Sequence, residues 1–336
     1  MTQSAVPPPT TTGGVALRTG NPDTPRANWA KARERLAWMM VAPSLLVVVC
    51  VALYPLIMTV YSSFTNARLD GSAATEWVGI AQYEFIFNDR NFRNAFQNTL
   101  IFTVLGVALQ TILGMAIALL IYSNFKGRGL LRTAILVPWA IPTVVSARLW
   151  EYMFASPYGV FNDITQYRLP QLVDWIPGIG GALAGLFREP GNPIPFLTDP
   201  TMSLFSIIAV DVWKTTPFMA LLLLAGLQVI PGDVYEAANI DGASKWRQFW
   251  EITLPLLRPA LLVALIFRTM DSFRVFDVVY VMKSYSLDTQ TLAIYAQQWL
   301  VNANRLGTTS AVAFIIFVCI GLMVFGYTKL VKVEEN

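Results

Sequence analysis

Six stretches of this 336-residue chain, roughly 36–62, 97–122, 131–155, 202–230, 257–282 and 309–331, are each long and apolar enough to cross a bilayer. About 20 mostly apolar residues span the hydrocarbon core as a helix. In that solvent every backbone polar group must be satisfied within the protein, which leaves helices or closed barrels, and unbroken apolar runs of this length are helical. The expected fold class is therefore an all-α polytopic membrane protein with six transmembrane helices. Composition agrees: 55% of residues are hydrophobic and 13% charged, against about 25% charged in soluble domains.

The third and fourth spans are the least clean, because Pro138 and Pro142 interrupt one and Pro217 the other. Between them, residues 156–200 read as a Pro-rich loop whose apolar piece at 176–187 is too short to cross. Residues 1–30 are expected to be a disordered tail, rich in Pro, Thr and Gly with little to bury. Arg26, Lys31, Arg33 and Arg35 then lead into an apolar run too long for a cleaved signal peptide. Thirteen Lys and Arg fall in the N-terminal tail, the loops after spans 2 and 4 and the C-terminus, seven on the opposite side and four within spans. That bias places both termini in the cytoplasm.

A net charge of +3, dispersed along the chain, gives no reason to expect a nucleic-acid partner. The absence of histidine excludes a His-ligated metal site and His-based acid–base catalysis. Cys50 and Cys319 lie in apolar runs and read as small buried hydrophobes, not a disulfide framework.

The loop after span 4, residues 231–256, has its own local physics. Pro231 and Gly232 end the span, Asp233 is a candidate N-cap, and Glu236 is placed to close a capping box. Asp241 and Gly242 read as a turn, since Gly supplies the positive φ that stops a helix. A second helix from about Ser244 carries Trp246, Phe249 and Trp250 back toward the bilayer. On these grounds alone the segment could be a generic amphipathic connector. The order Glu236, Ala237, Ala238, three residues, Gly242, nine residues, Ile252, one residue, Leu254, Pro255 resembles the EAA signature of permease subunits of binding-protein-dependent ABC importers. The resemblance extends over residues 36–332, and "VWKTTPFMALLLLAGLQVIP" and "FRTMDSFRVFDVVYVM" resemble segments of carbohydrate permeases for trehalose, maltose and related sugars, especially the larger, MalF-like member of the pair.

That resemblance implies the type I ABC importer permease fold, a second six-span permease subunit as heterodimer partner, two ATPase subunits, an extracytoplasmic solute-binding protein and a sugar substrate, in a bacterial or archaeal cytoplasmic membrane. It further implies that Glu236, Ala237, Ala238, Asp241, Gly242, Ile252, Leu254 and Pro255 couple the chain to the ATPase. ATP and Mg would be bound by that partner, because no stretch here fits the GxxxxGK[ST] phosphate loop. The chain would be a non-catalytic subunit with no cofactor of its own.

Span 5 carries Arg268, Asp271, Arg274 and Asp277 at three-residue intervals. Charges of alternating sign at i, i+3 on a helix are neighbours and offset part of the insertion penalty of about 2.5–3.5 kcal/mol each. Such a row drifts about 60° per step, too broad a surface to face lipid. Asp211 with Lys214 in span 4, beside Trp213, and Arg148 with Glu151 in span 3 repeat the i, i+3 pattern. Two readings follow: a translocation cavity for a neutral polar solute lined by spans 3 to 5, or an ion-pair lattice that holds the helices together. Glycerol-phosphate remains an alternative cargo, and an ion-coupled secondary transporter an alternative class.

Overall fold

The computed structural model describes residues 25–123, 126–156, 158–174 and 193–330. Residues 1–24 of the expected tail and the apolar piece at 176–187 lie outside the described residues. The chain divides into two units, Met1–Met58 and Thr59–Asn336. In the first, helix α1 (Pro25–Val48) starts inside the stretch expected to be tail. Proline suits the first helical position, where its missing N–H costs nothing. A π-helical turn, Val49–Leu53, leads into α2 (Tyr54–Ser62), which runs on into the second unit.

The second unit is helical throughout its long elements. Helix α3 (Ala81–Asn88) is followed by α4 (Arg90–Tyr122), which Asp89 caps by accepting from Asn91 N at 2.9 Å. Next come α5 (Arg128–Ala140), α6 (Thr143–Phe154), the single turn α7 (Val160–Asp163), and, after a π-helical turn Ile164–Arg168, α8 (Leu169–Asp174). Helix α9 (Pro200–Leu227) precedes the short pair α10 (Gly232–Ile240) and α11 (Lys245–Gln248). A third π-helical turn, Phe249–Thr253, opens α12 (Leu254–Phe273), and α13 (Asp277–Lys283), α14 (Leu292–Val301) and α15 (Leu306–Leu330) complete the described residues. Among the described residues, five helices are long and apolar enough to cross a membrane, and six if the bent α5–α6 pair is one span.

Two expected spans differ from continuous helices. The third is broken at Ile141–Pro142, with α5 and α6 bent by 91°. Ile141 precedes a proline and takes the extended conformation, ψ 134°, that this position favours. The fifth breaks at Arg274–Phe276, between α12 and α13. By contrast α9 runs unbroken through Pro217. Part of the expected Pro-rich loop is helical as well, in α7 and α8. Among the described residues the three π-helical turns each end two residues before a proline, at Pro55, Pro170 and Pro255. A proline lacks the N–H for the carbonyl four residues back and its ring crowds that carbonyl, and the wider π turn relieves both problems.

Helix α9 packs most extensively on α4 and also against α12 and α5. One apolar cluster joins Phe102, Ile207 and Ile208 to Val278, Val279 and Met282 of α13, and a second joins Met115, Ala118 and Met219 to Leu223, Leu227 and Leu257. On the flank of α4, Tyr295 donates to Asp89 Oδ2 at 2.6 Å, and burial together with that carboxylate raises the phenol's pKa. Close helix approach depends on small residues, as is usual between membrane helices. A Cβ on Gly226 would lie 2.4 Å from Ala260 Cβ and 2.7 Å from Leu257 Cδ1, whereas one on Gly321 would meet nothing. Gly226→Ala is therefore expected to push α9 and α12 apart and lower the unfolding temperature in detergent. Gly321→Ala is the control and should leave it unchanged; equal melting of the two variants would contradict this packing.

Candidate functional site

A polar layer lies between the two apolar clusters. Along α4 the chain passes from Phe102 through Gln110 to Met115, along α9 from Val212 through Lys214 to Met219, and Arg268 follows Ala264 on α12. Gln110, Asp211, Lys214 and Arg268 are all buried, at 0%, 9%, 7% and 4% exposure. Gln110 Nε2 donates to Asp211 Oδ2 at 2.9 Å, and Gln110 Oε1 accepts from Arg268 Nε at 2.8 Å. Arg268 Nη2 reaches Asp211 Oδ2 at 3.5 Å and Ser272 Oγ at 3.4 Å. Three helices are thus tied by one carboxamide, one carboxylate and one guanidinium, with opposite charges facing each other where an unpaired ion is most costly.

This arrangement corrects part of the pairing expected from spacing. Asp211 pairs across helices with Arg268, and Lys214 donates instead to the backbone carbonyl of Ile141. Ile141 ends α5, so its carbonyl has no partner within the helix, and a lysine ammonium satisfies it. The row on span 5 is not continuous either. Asp271 bridges Arg268 Nη1 at 3.5 Å and Arg274 Nη2 at 3.4 Å, but Arg274 sits in the helix break. Beyond it, Asp277 has no ion pair among the described residues and opens α13, where a carboxylate suits the positive end of the helix dipole. Arg148 and Glu151 do pair along α6, at 2.6 Å.

Burial separates these side chains into two groups. Asp211, Lys214 and Arg268 are enclosed by protein, while Trp213, Asp271, Arg274, Asp277 and Arg148 are exposed and Glu151 half-buried. Trp213 meets Trp150 edge-on, ring centroids 5.3 Å apart. Gln110 was missed from sequence; its signal was an amide alone within the apolar half of span 2. Among the described residues no three His, Cys, Asp or Glu side chains converge as a metal site.

The 232–255 segment forms a hairpin of two short helices. Gly242 adopts φ +73°, as its place in the turn required, and Ser244 caps the second helix by accepting from Arg247 N at 3.3 Å. The expected capping box does not form: α10 begins at Gly232 after Pro231, and Asp233 lies in its first turn without a cap bond. Glu236, Ala237, Asp241 and Gly242 are exposed at the tip. Ala238 faces inward, and Ile252, Leu254 and Pro255 are half-buried, so these four anchor the hairpin to the helices. A buried Gln248 locks the hairpin, donating through Nε2 to Asn239 Oδ1 at 2.8 Å and to Ala243 O at 2.9 Å. Tyr235 and Thr253 hydroxyls meet at 3.0 Å.

Comparison with known proteins places these features in a family. Residues 110–332, which contain both the polar layer and the hairpin, match the family of binding-protein-dependent transport system inner membrane components. The chain is 39% identical over 308 residues to the trehalose/maltose transport system permease protein MalF of Thermococcus litoralis, covering 91% of this chain and 97% of that one. It is 36% identical over 316 residues to the trehalose transport system permease protein SugA of Mycobacterium tuberculosis, covering 94% and 95%. Identity to the sulfoquinovosyl glycerol transport system permease protein SmoG of Agrobacterium fabrum is 33% over 323 residues, covering 95% and 98%. Its fold resembles a chain in the crystal structure of a bacterial ABC transporter that imports alginate, with TM-score 0.72 over 93% of this chain and all of that one, at 22% identity. The chain belongs to the family of binding-protein-dependent transport system inner membrane components, the non-catalytic, membrane-spanning permease subunits of ABC importers.

Proposed function

We propose that this chain is the permease subunit through which an α-linked disaccharide of the trehalose or maltose type enters the cytoplasm. The observation that carries the proposal is the similarity, along nearly the whole chain, to two trehalose-transporting permeases. In this reading the hairpin faces the cytoplasm with both termini, and its exposed tip around Gly242 docks on a separate ATPase that binds Mg and ATP. A second six-span permease, a second ATPase copy and an extracytoplasmic solute-binding protein complete the transporter.

Each part of the chain then has a task. ATP-driven movement of the ATPases pulls the hairpin, and Gln248 together with the anchors Ile252, Leu254 and Pro255 passes that displacement into α12 as a rigid push. Arg268 on α12 carries it to α4 and α9 through Gln110 and Asp211. Trp213, Asp271, Arg274, Asp277, Arg148 and Glu151 are accessible to solute, while the enclosed Asp211, Lys214 and Arg268 hold helices in place. An anionic glycoside is the second reading, favoured by the likeness to the sulfoquinovosyl glycerol permease and by the exposed Arg274 cation.

Uptake of labelled trehalose into vesicles holding the complete transporter, in competition with unlabelled maltose, sulfoquinovosyl glycerol and glycerol phosphate, decides between them. Trehalose and maltose are expected to compete at the lowest concentrations. Competition by the anionic compounds alone would replace the disaccharide reading with the second one.

A further inference from the structure

A cavity of about 500 Å³ lies between α6 and the end of α13, lined by Arg148, Glu151, Tyr280, Lys283, Ser284 and Ser286 among others. It sits away from the hairpin, since α13 packs on the first half of α9, around Ile207 and Ile208. We propose that this cavity, which lies outside the polar layer, is a separate saccharide subsite that holds one pyranose ring of the cargo. The proposal rests on the sugar-import reading and adds a location to it.

Three features carry it. The lining retains hydrogen-bonding capacity: Glu151 uses Oε2 on Arg148 Nη1 at 2.6 Å, and Lys283 uses one of its three N–H bonds on Leu197 O at 2.6 Å. Ser284 and Ser286 bond through their backbone N–H groups, and their side-chain hydroxyls make no hydrogen bond among the described residues. Donors and acceptors are thus interspersed around one space, which suits a ligand whose every hydroxyl both donates and accepts. Second, Tyr280 stacks on Phe276, centroids 5.1 Å apart and planes within 13°, so its ring is fixed in orientation beside the polar groups. Phe276 covers one face of this ring and Tyr285 packs on it at 74° with centroids 5.3 Å apart, so the ring surface that borders the cavity is held rigidly and offers apolar contact to the C–H groups of a sugar. Third, the volume lies within the range of about 300–1,000 Å³ of small-molecule clefts. Arg148 is neutralised by Glu151, and Lys283, the one unbalanced charge of the six, is held by the Leu197 carbonyl and keeps N–H donors that a sugar hydroxyl can accept from.

Occupancy is read directly by thiol protection. In the complete transporter with Cys50→Ser and Cys319→Ala, Ser286→Cys would place a thiol on the cavity wall. Saturating trehalose is expected to slow its modification by a small methanethiosulfonate reagent by at least about threefold, while an equal concentration of a non-carbohydrate osmolyte does not. Tyr280→Leu is expected to lower uptake about tenfold at limiting sugar, the loss of one good aromatic contact. If the parent transporter takes up trehalose but labelling is unprotected and Tyr280→Leu transports normally, the subsite is wrong and the sugar reading stands. Protection by sulfoquinovosyl glycerol but not by trehalose would overturn the neutral-sugar assignment of the cavity. Absence of sugar uptake by the parent transporter would overturn the sugar reading itself. If Ser286→Cys does not assemble, the Tyr280→Leu uptake measurement decides alone.

Discussion

Asp211→Leu is expected to destabilise the protein by about 3–5 kcal/mol, the cost of leaving a buried charge without its partner. Arg268 would keep its guanidinium at 4% exposure with only a half-exposed Asp271 at 3.5 Å to balance it. Gln110 would lose the acceptor for its amide N–H as well. The double variant Asp211→Leu/Arg268→Met removes both charges and should recover most of the loss, to within about 1–2 kcal/mol of the parent, because burying two ions gains little over packing two apolar side chains. Arg148→Gln breaks an exposed pair of the same sign pattern and should cost less than about 1 kcal/mol. Unfolding temperatures and purified yields in mild detergent report all three. Equal losses for Asp211→Leu and Arg148→Gln would show that the polar layer does not hold the helices together.

Gly242→Val is expected to reduce ATP-driven uptake by at least about 100-fold while the chain still inserts and purifies with its partners. At φ +73° a β-branched residue is strained by roughly 1–2 kcal/mol, and the turn has to open to relieve it. A Cβ there meets no atom within 4 Å, so the damage falls on the shape of the tip and not on the packing of this chain. Gly242→Asn, which tolerates left-handed backbone, should retain a measurable part of the activity. Undiminished uptake by Gly242→Val would remove the docking role from the hairpin.

The number and places of the spans were legible because hydropathy over about 20 residues reports the solvent directly. What prolines do to them was not. Pro142 and Pro217 look alike in sequence, yet the chain breaks only at the first, where Lys214 from another helix satisfies the freed Ile141 carbonyl. That partner lies 73 residues away and leaves no local trace. The i, i+3 spacing correctly paired Arg148 with Glu151 and Arg268 with Asp271. It misassigned Asp211, whose strongest interactions cross to Gln110 and Arg268, because spacing names neighbours on one helix and says nothing of facing helices. Gly242 was readable since only a turn explains a glycine between two short helical patterns. Gln248 was not, being one polar residue among many until the hairpin closed around it.

The most direct test of the account is uptake of labelled trehalose by proteoliposomes containing this chain, its partner permease, the ATPase and the sugar-loaded binding protein. Accumulation that requires ATP on the hairpin side, and that is lost with a non-hydrolysable analogue, is the expected result. Trehalose movement that proceeds without ATP would contradict it.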